Sequence, residues 1–348
     1  MAVALAAILA AAGCSGSSAP DVPDASDDAS DDASDDAAPD VALPPACSET
    51  DPRSPPTTLI VMPDQGQAPF VAVLDKATAT IDMLDYDLGQ GEILSTLLAK
   101  AQAGVAVRVI LDASEQSFNQ PAFDSLGSAG AEVEWSDPQF TYMHAKSFVV
   151  DGVEAVISTG NFVASQMAEE RNYAVVDDDA QDVAELSALI AADWARQVPD
   201  LSCTRLLVSP VNSKPRILAL IASATTTLDV ESMELSDTDV QAALVAAQKR
   251  GVAMRVIIAD TNFVSANSAV ETFLTGASIP GKTLSDPVVH VKSILVDGAR
   301  AYLGSENLSW TSLTKNREVG VEIVESQGED VAGMEATFDE DWAAASTF

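Results

Sequence analysis

The stretch HAKSFVVD at 144–151 returns as HVKSILVD at 290–297. The two phrases hold both histidines of the chain. Each keeps a Lys two places on and an Asp seven places on: His144, Lys146 and Asp151, then His290, Lys292 and Asp297. Each is followed at the same distance by a small-residue turn ending in Asn, STGN at 158–161 and GSEN at 304–307. Residues i and i+2 of a strand share a face, so the His and Lys of each copy project together, while the apolar run before the Asp anchors the strand in a core. A lone His on a strand is usually a packed or surface residue. Two at equivalent places, each with its Lys, Asp and Asn, form a constellation. A twofold-related pair of such units brings two imidazoles, two ammonium groups and two carboxamides to one crevice. One imidazole can attack a tetrahedral anion, the other can protonate a leaving group, and the Lys and Asn groups can bind non-bridging oxygens.

Outward from these phrases the duplication continues. TLIVMP (58–63) recurs as RLLVSP (205–210), TATIDMLDYDL (78–88) as TTTLDVESMEL (225–235), and AQAGVAVRVILD (101–112) as AQKRGVAMRVIIAD (247–260). DWA (193–195) recurs at 341–343. The repeats run over 57–200 and 204–348. In each, β-branched runs such as 106–111, 147–151 and 155–158 read as strands. Residues 91–103 and 237–250 read as helices stopped by Gly104 and Gly251, and 180–197 and 329–345 as closing helices with Trp194 and Trp342 in their cores. The fold class is therefore α/β: two repeated α/β sandwich halves packed around one shared active site. Segments 112–140 and 259–287, which precede the two phrases, read as rim loops, with Phe118, Phe123, Phe140, Phe263 and Phe273 available to acyl chains or to ordinary burial.

H-x-K-x4-D followed by G-S-x-N, present twice, resembles the signature of the phospholipase D superfamily, and the likeness spans both repeats. It implies a phosphohistidine intermediate, two-step hydrolysis or transfer of a phosphodiester, and neither metal ion nor cofactor. It implies His144, Lys146, Asp151, His290, Lys292 and Asp297 as the catalytic set, supported by Thr159, Asn161, Ser305, Asn307 and Glu318. Of these, Asp151 and Asp297 read as braces rather than proton carriers. Two places depart from the family pattern. Ser158 and Thr159 stand where Gly and Ser are usual. The family's N-x-E after the turn is N-R-E in the second copy, with Glu318, but E-R-N in the first, with Asn172 at the matching place. A carboxylate beside an imidazole raises its pKa. With Glu318 taken as the neighbour of His290, His290 is the expected acid and His144 the expected nucleophile.

Composition narrows the substrate. The net charge is −35. Nine of the 53 acidic residues lie in 1–47, which has no Lys or Arg, so 44 remain against 18 basic residues and the body carries −26. Such a surface repels a polyanion, which disfavours nucleic acid as a general partner. Residues 1–14, MAVALAAILAAAGC, have the length of a signal-peptide core and resemble a bacterial lipoprotein signal in which Cys14 takes the lipid. No basic residue precedes the run and Ala11 stands where Leu is usual, so an ordinary secretory signal is the alternative. Residues 15–56, rich in Asp, Ala, Ser and Pro, read as a solvated, disordered tether. Cys47 and Cys203 can pair as a disulfide in an oxidising compartment, or remain free thiols. The expected protein is a monomeric, exported phospholipase D of the bacterial cell envelope, held to the membrane by lipid and acting on phospholipid headgroups. A nuclease, a cardiolipin-synthase-like transferase and a non-catalytic lipoprotein are the alternatives.

Overall fold

The structure, a computed structural model, describes residues 53–202, 204–324 and 329–348. Cys14, Cys47 and Cys203, and with them the lipid and disulfide expectations, lie outside the described residues, as does the tether up to residue 52.

The first half runs β1 (Thr58–Met62), α1 (Ala68–Leu74), β2 (Thr80–Asp85), α2 (Glu92–Gln102), β3 (Ala106–Leu111), α3 (Gln116–Ala129), β4 (Glu132–Trp135), β5 (Ser147–Val150), β6 (Glu154–Ser158), α4 (Ala164–Glu169), β7 (Glu170–Asp177) and α5 (Ala180–Trp194). The second runs β8 (Leu207–Ser209), α6 (Ser213–Ser223), β9 (Thr227–Ser232), α7 (Thr238–Lys249), β10 (Ala253–Ala259), α8 (Asn267–Ala277), β11 (Gly281–Leu284), β12 (Val288–Val289), β13 (Lys292–Val296), β14 (Arg300–Gly304), α9 (Trp310–Thr314), β15 (Glu318–Val324) and α10 (Asp330–Ala344). The sheet orders, β1-β7-β6-β5-β2-β3-β4 and β8-β15-β14-β13-β9-β10-β11, are the same order written in equivalent strands. The expected pair of α/β halves is present.

Three cores explain why two halves make one body. One face of the first sheet packs under α1, α2 and α3 around Phe70, Leu97 and Phe148. One face of the second packs under α6, α7 and α8 around Ile217, Leu244 and Ile294. The remaining face of each sheet enters a common core that includes Val175, Leu186, Val319 and Phe338, with α5 and α10 in it. Every such buried Leu or Phe contributes roughly 1.5–3 kcal/mol. Trp194 and Trp342 pack against this common core half-buried.

Segments 112–140 and 259–287 are not loops. They contain α3 with β4 and α8 with β11. Pro121, Gly127 and several polar residues mask the helical period of α3, yet Asn119, Ala122 and Leu126 lie three and four apart and are its buried stripe. Phe123 stacks on Trp135 at 4.4 Å and Phe273 packs on the second outer core, whereas Phe118 and Phe263 are exposed.

Candidate active site

Each H-x-K-x4-D phrase folds as a lead-in, a strand and a turn. His144 and His290 sit just before β5 and β13, and the Asp opens the hairpin to β6 or β14. Asp151 and Gly152 have φ of 53° and 65°, and Asp297 and Gly298 have 55° and 62°. That is the left-handed pair a type I′ turn requires, and Asp-Gly is the dipeptide that supplies it at least cost. Seven extended residues put roughly 20 Å between His and Asp, so Asp151 and Asp297 belong at the far end of the strand, not in the catalytic set. The Asp151 carboxylate accepts from the amides of Thr78, Ala79 and Thr80 at 2.7–2.8 Å and from the Thr78 hydroxyl. Asp297 repeats this with Thr225, Thr226 and Thr227. The slight burial pushes these carboxyls up, but the amide donors outweigh it and hold both below the usual range. Asp151→Asn is therefore expected to cost about 1–2 kcal/mol after allowance for solvent screening, with activity retained. Because the folded-state pKa is depressed, this stability is present above the ordinary carboxylate range and lost as pH falls towards the folded value. In urea titrations the gap between wild type and variant should begin to narrow as pH falls below about 4 and keep narrowing towards the folded value. A variant that folds normally but is inactive would return Asp151 to the site.

At the other end the halves interlock. The His144 amide donates to the Arg317 carbonyl at 2.8 Å, and the His290 amide to the Arg171 carbonyl at 3.2 Å. β12, just before His290, pairs in parallel with Glu170 and Arg171 of β7. Met143 bridges to Arg317 in the same sense. The Arg side chains cross as well. Buried Arg317 pairs with Asp193 of α5 and donates to the Ser209 carbonyl, while buried Arg171 pairs with Asp341 of α10 and donates to the Met62 carbonyl. The repeated DWA tripeptide thus supplies one Asp for the Arg of the opposite half.

The imidazoles take their partners across the same seam. His144 Nδ1 lies 2.9 Å from Glu318 Oε2. Glu318 Oε1 accepts from Ser312 at 2.5 Å and Asn316 at 2.9 Å, which fixes the carboxylate. His290 Nδ1 lies 3.0 Å from Asn172 Oδ1 and 3.6 Å from Glu170 Oε2. Asn172 donates to Glu170 and accepts from the Thr159 hydroxyl, so its oxygen is the atom that faces His290. The expectation that Glu318 serves His290 is therefore corrected: the carboxylate belongs to His144. Both imidazoles engage at Nδ1 and leave Nε2 as the free edge.

Lys146 and Lys292 are fully buried. Lys146 donates to the His144 carbonyl, and Lys292 to the carbonyls of His290 at 2.6 Å and Thr159 at 3.1 Å. Burial pushes Lys146 down to about 8 and Lys292 well below its ordinary value. Burial also lowers His144, and the Glu318 charge offsets part of that. His290 is driven well below its ordinary value by burial, Lys292 and Lys146, with no carboxylate among the causes to oppose them. Burial pushes Glu318 up, but His144 and Lys146 outweigh it and keep it ionised. Two buried lysines and two imidazoles, with the Glu318 and Glu170 carboxylates beside them, gather donors that suit a phosphodiester anion.

Thr159, bonded to Asn172 and Lys292, and Asn307 lie at this crevice. Asn161 donates to Gln166 and Asp87, and Asn307 lines the cavity beside His144. Ser305 instead closes a bond to the Val319 amide and braces β15. Sequence reasoning gave no role to Ser312 and Asn316, or to Tyr86, whose ring meets His144 edge-on at 4.8 Å and carries Lys146 Nζ 5.0 Å above it. Tyr86 follows β2 inside the repeated TATIDMLDYDL stretch, which was its one signal. Among the described residues no group of three or more His, Cys, Asp or Glu is arranged to hold a metal ion.

The family described as "Cardiolipin synthase, PLD-like domain" matches residues 70–194 and 217–342, one match in each half. The chain belongs to the phospholipase D superfamily. It is a phosphodiester-active member of that superfamily. It is 25% identical over 286 residues to Minor cardiolipin synthase ClsB of Bacillus subtilis, across 71% of this chain and 72% of that protein. It is 31% identical to Phospholipase D Z of Dictyostelium discoideum, across 31% of this chain and 26% of that protein. The crystal structure of phosphatidylserine synthase from Haemophilus influenzae shares the fold, with a TM-score of 0.67, 13% identity, and coverage of 86% of this chain and 89% of that one.

Proposed function

We propose that this phospholipase D superfamily member cleaves a phospholipid diester through a phosphohistidine and passes the phosphatidyl group to an alcohol, with water as the competing acceptor. The observation that carries the reading is the pair of imidazoles with Nδ1 engaged across the seam and Nε2 free, beside two buried lysines. The likeness to a cardiolipin synthase over most of both chains supports transfer, and the acidic body supports a lipid over a nucleic acid.

The Nδ1 partners divide the labour. His290, neutral and held by a carboxamide oxygen, has its Nε2 lone pair available and is the nucleophile. His144, with a carboxylate to hold its proton, is the acid. In the first step His290 Nε2 forms a bond to phosphorus, the ester P–O bond breaks, and His144 gives its proton to the departing oxygen. In the second, an alcohol yields its proton to His144 as its oxygen bonds phosphorus and the N–P bond breaks. Lys146 and Lys292 hold the non-bridging oxygens. This reverses the roles expected from sequence, because the pairing on which they rested is reversed.

The test is incubation of the purified protein with vesicles of phosphatidylglycerol, with and without added short alcohols. New phosphatidyl-alcohol supports transfer. Phosphatidic acid alone at all alcohol concentrations reduces the activity to hydrolysis, and cleavage of single-stranded DNA without cleavage of lipid overturns the lipid reading. The pH dependence follows from the partners. Activity should fall at high pH as His144 loses its proton. Glu318→Gln removes the charge that raises that pKa, so the alkaline limb of kcat/KM should move to lower pH. An unmoved limb would take the acid role from His144.

The proposed lipid anchor is tested separately. Cys14→Ser should move the protein from the membrane to the soluble fraction.

A further inference from the structure

The duplication allows each side of the site to be compared with its own copy, and beyond their Nδ1 partners the sides differ in aromatic content. Tyr86 follows β2, and its counterpart after β9 is Met233. Tyr142 stands two places before His144, and two places before His290 stands Val288. Trp310 opens α9, and Ala164 opens α4. Three aromatics on one side thus face Met, Val and Ala on the other. All three line one cavity of about 450 Å³ that also includes His144, Glu234, Ser236 and Asn307. A second cavity, of about 340 Å³, is lined by Val288, Phe263 and Leu284 together with Asp260, Asn262 and Ser285.

The first cavity has the chemistry of a site for an uncharged hydroxylated group. Asn307 Oδ1 and Asn316 Oδ1 are buried there without a hydrogen-bond partner, and a buried acceptor left unmet is costly. Ser236, Ser309 and Thr311 line the same cavity, and their hydroxyls can donate to and accept from the hydroxyl groups of a ligand. The aromatics do not form a vacant cage for a quaternary ammonium group: Lys146 Nζ lies over Tyr86 at 5.0 Å and Lys315 Nζ over Trp310 at 5.3 Å, so two of the three rings already carry a cation. Trp310 and Tyr142 are exposed at the mouth, where amphipathic rings can border both water and lipid.

We propose that the site binds its diester in one direction: the departing and incoming alcohols occupy the aromatic cavity beside His144, and the retained apolar group runs past Val288 and Phe263 on the His290 side. This rests on the transfer reading and deepens it. The alcohol then departs and enters beside the imidazole assigned as acid and base, a conclusion reached from lining residues rather than from Nδ1 partners.

The experiment gives Trp310 and Tyr142 the identity of their counterparts and removes the ring of Phe263. Trp310→Ala and Tyr142→Val should each lower the ratio of transfer to hydrolysis with glycerol by about tenfold, worth roughly 1.4 kcal/mol, and leave the dependence on acyl-chain length unchanged. Phe263→Ser should weaken the preference for long over short chains and leave the glycerol ratio unchanged. Choline as acceptor should compete poorly with glycerol in the wild type. Exchange of the two phenotypes would reverse the direction. A glycerol ratio that none of the variants moves would remove the alcohol from the cavity, and choline preferred over glycerol would overturn the uncharged class. A wild-type protein that forms no phosphatidyl-alcohol would sink the transfer reading itself.

Discussion

His144→Ala and His290→Ala should each reduce kcat/KM by at least about a thousandfold, because one site needs both imidazoles and either loss removes a whole chemical step. The fold should survive both changes, since neither ring fills a hydrophobic core and the backbone bonds to Arg171 and Arg317 remain. The variants should differ in what they accumulate. A substrate with a good leaving group needs no proton, so His144→Ala should still form a phospho-enzyme, labelled on His290. His290→Ala should form none. Label on His144 would exchange the two roles and leave the superfamily chemistry intact. Near-wild-type turnover in either variant would end the shared-site account.

Arg317→Met should be the most destabilising single change at the seam. Arg317 and Asp193 are 3% and 2% exposed, so removal of the cation strands a buried carboxylate, at a cost of about 3–5 kcal/mol. The Arg317 guanidinium also lies 4.3 Å over the Phe140 ring and holds the Ser209 carbonyl. Adding Asp193→Leu should restore much of the loss, because two apolar groups are tolerated where one unpaired charge is not. Urea denaturation of the single and double variants measures this. A single variant within 1 kcal/mol of wild type, or a double variant no better than the single, would show that the pair does not latch the halves.

What was legible in the sequence follows from what repetition encodes. The paired phrases at 144 and 290 disclosed two equivalent halves, the residues of the crevice and the strands that carry them. The DWA tripeptides were visible as a repeat but not as latches, because a repeat names equivalent places and not the half in which each partner lies. Glu318 was misassigned for that reason: it follows His290 in the chain yet crosses to His144. Asp151 and Asp297 joined the catalytic set because they share a phrase with His and Lys; they are the braces expected, but the length of an extended strand puts what they brace at the far end from the site. The segments before the phrases looked like loops because Pro121 and polar residues obscure the buried stripe of α3.

The order Glu170-Arg171-Asn172 in one half and Asn316-Arg317-Glu318 in the other has a consequence for ancestry. A single half that assembled with an identical copy could build the same seam, but it would be obliged to give both imidazoles the same neighbour, since one codon would specify both. Joining two copies in one chain lifts that obligation. Substitutions at 172 and 318 then become separate events, and two formerly interchangeable histidines can be selected for different tasks. The transposed Glu and Asn are what such a release leaves behind, and a division of labour of this kind is open to a fused duplicate and closed to a symmetric pair.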